Sequence, residues 1–241
     1  MIGNEGPVHI TGIADACELL ARVFSFPDRD LTRALLAGTC QSDAQACLID
    51  MGSDITWLGG SAVLEKCCSE DEDELFERLR RDHTVLYLLP GGAAAIWPYE
   101  APFRYKAAGR EGLPALFRSP YQLDVENHMR KAGVFPKTGR TEPADSIWNE
   151  FAFLSYLYGR TAASVRAADY DGGREWLGKI VDFWQEHGSL WLIAFMEQTK
   201  KQAERLERGA EYAAFADLGL VVLWAIEADV AVMQSTGGLC N

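Results

Sequence analysis

Residues 143–166, PADSIWNEFAFLSYLYGRTAASVR, decide the fold class. Ile147, Phe151, Leu154 and Tyr158 follow one another at spacings of four, three and four. That period lines them along one face of an α-helix, with more polar positions turned away. Pro143 suits a first helical position, where its missing N–H is no loss, and it drives Glu142 out of the α region. The pattern predicts a helix from Pro143 to about Arg166, with Glu142 as N-cap and Asp145 among the free amides of the first turn.

The same period continues in both directions. Downstream, Trp176, Ile180, Phe183 and Trp184 mark one helix, residues 190–208 a second, and Tyr212 to about Met233 a third. Upstream, Ile13, Cys17, Leu20 and Phe24 mark a helix stopped by Phe26-Pro27. A short helix ends at Gly38, another spans Ala44–Leu58 and is closed by Gly59-Gly60, and a long one covers Glu70–Leu89. A further helix covers Tyr121–Ala132, capped by Gly133. Alternating strand patterns are almost absent, so the expected class is an all-α helical bundle. Breakers and charges between Pro136 and Glu142 suggest two helical lobes, residues 1–135 and 136–241, joined by a hinge. Residues 91–120 read as a long loop unusually rich in aromatics, which marks either function or a missed element.

Composition narrows the function. The 241 residues are 48% hydrophobic and 24% charged, and the formal net charge is −12. Such a balance argues against tracking a nucleic-acid backbone and suits a basic partner. The N-terminus lacks a basic and apolar leader pattern, and the apolar run Leu218–Ile226 falls well short of the ~20 residues a membrane span needs. A cytoplasmic location without membrane insertion is expected. The six cysteines form no CxxC pair, and the four histidines are scattered. No metal, cofactor or catalytic constellation is expected from these spacings. Asp82-His83 has the reverse order of a His-Asp metal pair, and neither Glu126–His128 nor Glu186-His187 has Glu-x-x-His spacing.

Three features remain as candidates for binding. Glu142 and Asp145 place carboxylates at a helix mouth; their plain role is to stabilise the helix start, and their functional one is to pair with guanidinium groups. Trp97-Pro98-Tyr99-Glu100-Ala101-Pro102-Phe103 is a stiff segment carrying three rings and one acid, fit either for core or for a peptide groove. His187 and Trp191 stand four apart and share a face if their helix runs through Gly188.

Together these residues resemble the TorD/DmsD/NarJ family of redox-enzyme maturation chaperones. The resemblance rests on Glu142-Pro143-Ala144-Asp145 with Glu150-Phe151, on Tyr87-Leu88-Leu89-Pro90-Gly91-Gly92 with Pro98-Tyr99-Glu100-Ala101, and on His187-x-x-x-Trp191. It covers about residues 10–225. One departure stands out: Ser146 occupies the place where the family has His after the Asp. The likeness implies a non-enzymatic chaperone that binds the twin-arginine signal peptide and the apo catalytic subunit of a molybdopterin oxidoreductase during cofactor insertion. It implies acid roles for Asp145, Glu142 and Glu100. It implies a groove built from Trp97, Pro98, Tyr99 and Phe103, with His187 and Trp191 more loosely at its side and the helix start Pro143–Ser146 at its mouth. Two alternatives stand beside it: a NarJ-type assembly chaperone for a nitrate reductase-like subunit, and a helical nucleotide- or metal-binding enzyme. A homodimer formed by swapping lobes is compatible with the hinge.

Overall fold

Helix propensity and apolar stripes give an almost wholly helical chain. The computed structural model describes residues 6–53, 57–88, 96–112, 114–135, 142–206 and 209–237. The helices are α1 (Gly6–Phe24), α2 (Arg29–Leu36), α3 (Thr39–Asp50), α4 (Leu58–Cys67), α5 (Glu72–His83), α6 (Glu100–Ala107), α7 (Pro120–Lys131), α8 (Ile147–Arg166), α9 (Tyr170–Glu186), α10 (Leu192–Ala203) and α11 (Ala210–Gly237). A π-helical turn, Thr84–Leu88, extends α5, and a 3-10 turn, Gly188–Leu190, joins α9 to α10. Among the described residues there is no β-strand. One antiparallel bridge pairs Tyr99 with Ser146.

The expected stripe of α8 is wholly inside: Ile147, Phe151, Leu154 and Tyr158 are all buried. It packs against α1, whose Ile13, Cys17, Leu20 and Phe24 are equally buried, and the Phe24 and Phe151 rings stack at 6.5 Å. On the other side α11 lies along α10 and α4. Apolar side chains from both halves of the sequence thus enter one cluster. Some interior polar side chains bond across helices: His83 donates from Nε2 to the Phe24 carbonyl, and the half-buried Arg78 bridges Glu70 and the buried Glu211. Burial pushes His83 down to about 4, as a neutral core histidine requires. The buried His83 ring packs edge-on against Phe26 and Tyr87.

Four local expectations need correction. The helix carrying the decisive stripe starts at Ile147, not Pro143, and its N-cap is Ser146, not Glu142. Ser146 has extended φ/ψ of −77° and 148° and accepts from the Asn149 N–H at 3.4 Å. The chain before it is drawn into pairing with residues 98–101, so it cannot also be helical. Gly59-Gly60 does not close a helix; α3 ends at Asp50, and both glycines belong to α4. The aromatic segment is not loop throughout, because residues 100–107 form α6 with Pro102 in the first turn, where no N–H is needed. His187 and Trp191 do not share a helix face, because α9 ends at Glu186 and the chain turns at Gly188. A Cβ on Gly188 would meet the Trp184 ring at 2.6 Å. The hinge expected between residues 136 and 142 lies, apart from Glu142, outside the described residues. No helix among the described residues is long and apolar enough to cross a membrane.

Candidate functional site

The two segments singled out by sequence are stitched together by their backbones. The Glu100 N–H donates to the Asp145 carbonyl at 2.8 Å, and the Ile147 N–H donates to the Pro98 carbonyl at 2.9 Å. The Ala101 N–H donates to Asp145 Oδ2 at 3.1 Å, and the Asn149 side chain donates to the Pro143 carbonyl at 3.0 Å. The start of α6 and the turn before α8 thus form one junction.

Most of that junction is interior. Pro98, Glu100, Phe103, Pro143, Asp145, Ser146, His187 and Trp191 are all buried. Glu100 is the hub: its Oε2 accepts from His187 Nδ1 at 2.7 Å, and its Oε1 accepts from Arg104 at 2.6 Å. Beside it, Glu150 on α8, a residue the sequence reading used only as part of a motif, accepts from the Trp191 indole N–H at 2.9 Å. Burial, reinforced by the Glu100 charge, holds the Glu150 carboxyl well above its usual range. Asp145 is raised to about 6, chiefly by burial, against the hydrogen bond from Ala101. In this conformation these groups hold the junction closed and do not reach solvent.

The sign of the pH effect follows. Asp145 has a folded-state pKa above its unfolded one, so its contribution to stability is full below the unfolded value of 3.8 and is lost as pH rises through about 6. Asp145→Asn keeps an acceptor for Ala101 and removes the charge. It is expected to be more stable than the native protein at pH 8 by roughly 2 kcal/mol, after the cost of an unpartnered amide, and no more stable at pH 4. Urea unfolding at the two pH values checks this.

What faces solvent is a rim and a groove. Trp97, Tyr99 and Glu142 are half-buried, and the Tyr99 hydroxyl hydrogen-bonds Glu142. Burial lifts the Glu142 carboxyl above its usual range, against the bond from Tyr99. The Tyr99 ring meets the edge of Trp148 at 5.7 Å. Trp148 in turn lines a groove of about 680 Å³ between α1, α3 and the first turns of α8. Asp15, Glu18, Asp43 and Asp50 line it, against a single cation, Arg22, which is paired to Asp28. Burial and then the neighbouring Asp50 charge raise the Asp15 carboxyl, while Arg166 lowers it. Gly12 lets α1 approach α3 this closely, since a Cβ there would lie 2.8 Å from Asp50 Cβ and from the Met51 nitrogen. Sequence reading missed this groove. Its acids stand apart in sequence and meet only when α1 lies on α3, although their i,i+3 pair Asp15/Glu18 and the fragment Asp43/Asp50 were visible as charge.

Residues 58–197 match the profile of the family described as nitrate reductase delta subunit. The chain belongs to that family. The match spans more than half of the chain and holds both halves of the junction, while α1–α3 lie outside it. No curated protein and no solved structure matches the chain. The nitrate reductase delta family is of the NarJ/TorD chaperone type, concerned with maturation of molybdoenzymes rather than with catalysis. The matched span includes the junction's buried acids, joined to indole, imidazole and guanidinium groups.

Proposed function

We propose that this delta-family chain is a cytoplasmic maturation chaperone that binds the twin-arginine signal peptide of a molybdenum oxidoreductase and retains the apo catalytic subunit until its cofactor is in place. The observation that carries this reading is the acidic groove continuing into the aromatic rim. Four carboxylates around one already paired arginine leave an excess of negative potential at a concave surface. Paired guanidinium groups satisfy such carboxylates two bonds at a time. The apolar stretch that follows them in a signal peptide would lie over Trp148 and Tyr99, with Trp97 and Glu142 flanking. Glu100, Phe103, Asp145, Ser146, His187 and Trp191 then act from beneath, by fixing the turn that presents Tyr99 and Glu142.

The acids must be ionised to hold a cation. Because Asp15 titrates above its usual range, peptide affinity is expected to fall as pH is lowered through that raised value, earlier than an unperturbed aspartate would dictate. Fluorescence anisotropy of a labelled leader peptide between pH 7.5 and 4.5 measures it. A pH-independent affinity over that range counts against the groove.

The family's description favours a second client reading, a nitrate reductase-like catalytic subunit held through its folded body. Co-purification with the apo subunit, with and without its leader, separates the two. Loss of the complex on removing the leader supports signal-peptide recognition, and retention supports the NarJ-type mode.

A further inference from the structure

Two histidines and two carboxylates that lie apart in sequence converge between α7 and the end of α9. Asp124 and His128 stand four apart on α7 and so share one face. Glu186 and His187 come from the last turn of α9 and the residue after it. One ligand atom from each of the four lies within 4.8 Å of every other. His128 Nε2 sits 2.9 Å from Glu186 Oε2, His187 Nε2 sits 3.5 Å from Asp124 Oδ2, and the two imidazole rings meet edge to face at 5.3 Å.

The orientation of His187 is the decisive detail. It is 1% exposed, and its Nε2 has no hydrogen-bond partner although it is enclosed. Its Nδ1 is pinned by Glu100 at 2.7 Å, and Glu100 is itself held by Arg104. A carboxylate behind one ring nitrogen, with the other left bare and aimed at a cluster of donors, is how a metal-binding histidine is set up. His128 is also buried, so two imidazoles are presented with little freedom to lose on binding.

We propose that Asp124, His128, Glu186 and His187 form a binding site for one divalent transition-metal ion of the zinc class. Two imidazole nitrogens and two carboxylate oxygens suit a borderline ion in tetrahedral geometry. Four protein ligands fill that geometry, so the ion closes α7 onto the α9 corner and opens no position for a substrate. Through His187 and Glu100 it also stiffens the junction that presents Tyr99.

The test uses the full chain, stripped with chelator and titrated with Zn²⁺ by calorimetry and with Co²⁺ by visible absorption. The native protein is expected to bind one equivalent, with intense tetrahedral d–d bands and no thiolate charge-transfer band. Zn²⁺ at about 100 times its Kd raises Tm by roughly 5–10 °C. Asp124→Asn/Glu186→Gln alters two half-exposed side chains, so it folds, and it is expected to lose affinity at least about 10-fold together with the Tm shift. His128→Gln should do the same with retained helical circular dichroism. Absence of stoichiometric binding overturns the proposal. So does binding that survives the double variant, or a thiolate band that vanishes in Cys67→Ser, which would place the ion by Cys67, Glu70 and Glu211 instead.

Discussion

Glu100→Ala is expected to lower the free energy of unfolding by about 3–5 kcal/mol, because it removes one member of a buried ionic network and strands the others. The carboxylate is fully enclosed and takes hydrogen bonds from both Arg104 and His187. Arg104 is partly exposed and can turn outward, but His187 is buried and would lose the partner of its Nδ1. Glu100→Gln retains the volume and an acceptor for His187 while turning an amide toward Arg104, so its loss should be roughly half as large. Chemical denaturation of the three proteins at one pH measures both. Equal stability of native protein and Glu100→Ala would mean that the hub is not formed. Client binding should fall with stability in these variants, since Glu100 supports the turn rather than touching the ligand.

Trp191→Ala comes next in size, at about 3–5 kcal/mol for emptying a large core site. The indole is fully buried, packs edge-on against Phe195 and tilted against Phe103, and donates to Glu150. Trp191→Phe fills most of the space and forfeits the hydrogen bond, which isolates the cost of leaving Glu150 unsatisfied at about 1–3 kcal/mol. Because Glu150 is held well above its usual pKa by burial, losing the indole donor should raise it further. A residue that merely lined a peptide groove would instead change affinity with little change in stability. Thermal unfolding combined with peptide titration of both variants distinguishes these roles.

Helix periodicity made the bundle legible because core-facing residues repeat along one chain segment, as Ile147, Phe151, Leu154 and Tyr158 do. The pairing of Tyr99 with Ser146 was not legible as geometry, since a bridge between segments about 45 residues apart leaves no local period. That bridge also explains why the start of α8 shifted. Pro143 satisfies the local rules for a first helical residue, but tertiary hydrogen bonds to Pro98 and Glu100 claimed the following residues. The chemically notable residues Glu100, Asp145, His187 and Trp191 were visible as a constellation. Their burial was not, because acid and imidazole side chains are ordinarily placed at the surface and go inside only when partnered. The acidic groove and the α7–α9 cluster stayed hidden for a common reason: each gathers side chains from separate helices, none of which carries a recognisable motif alone.

Calorimetry of a leader peptide with paired arginines against the native protein and an Asp15→Asn/Asp43→Asn/Asp50→Asn variant tests the groove as the recognition surface. All three side chains are exposed, so the variant should fold normally. The expected result is binding by the native protein that weakens at least about 10-fold, or roughly 1.4 kcal/mol, in the variant and on replacing both arginines by glutamine. Equal affinity of both proteins for the arginine peptide, or equal affinity of the native protein for both peptides, would contradict it.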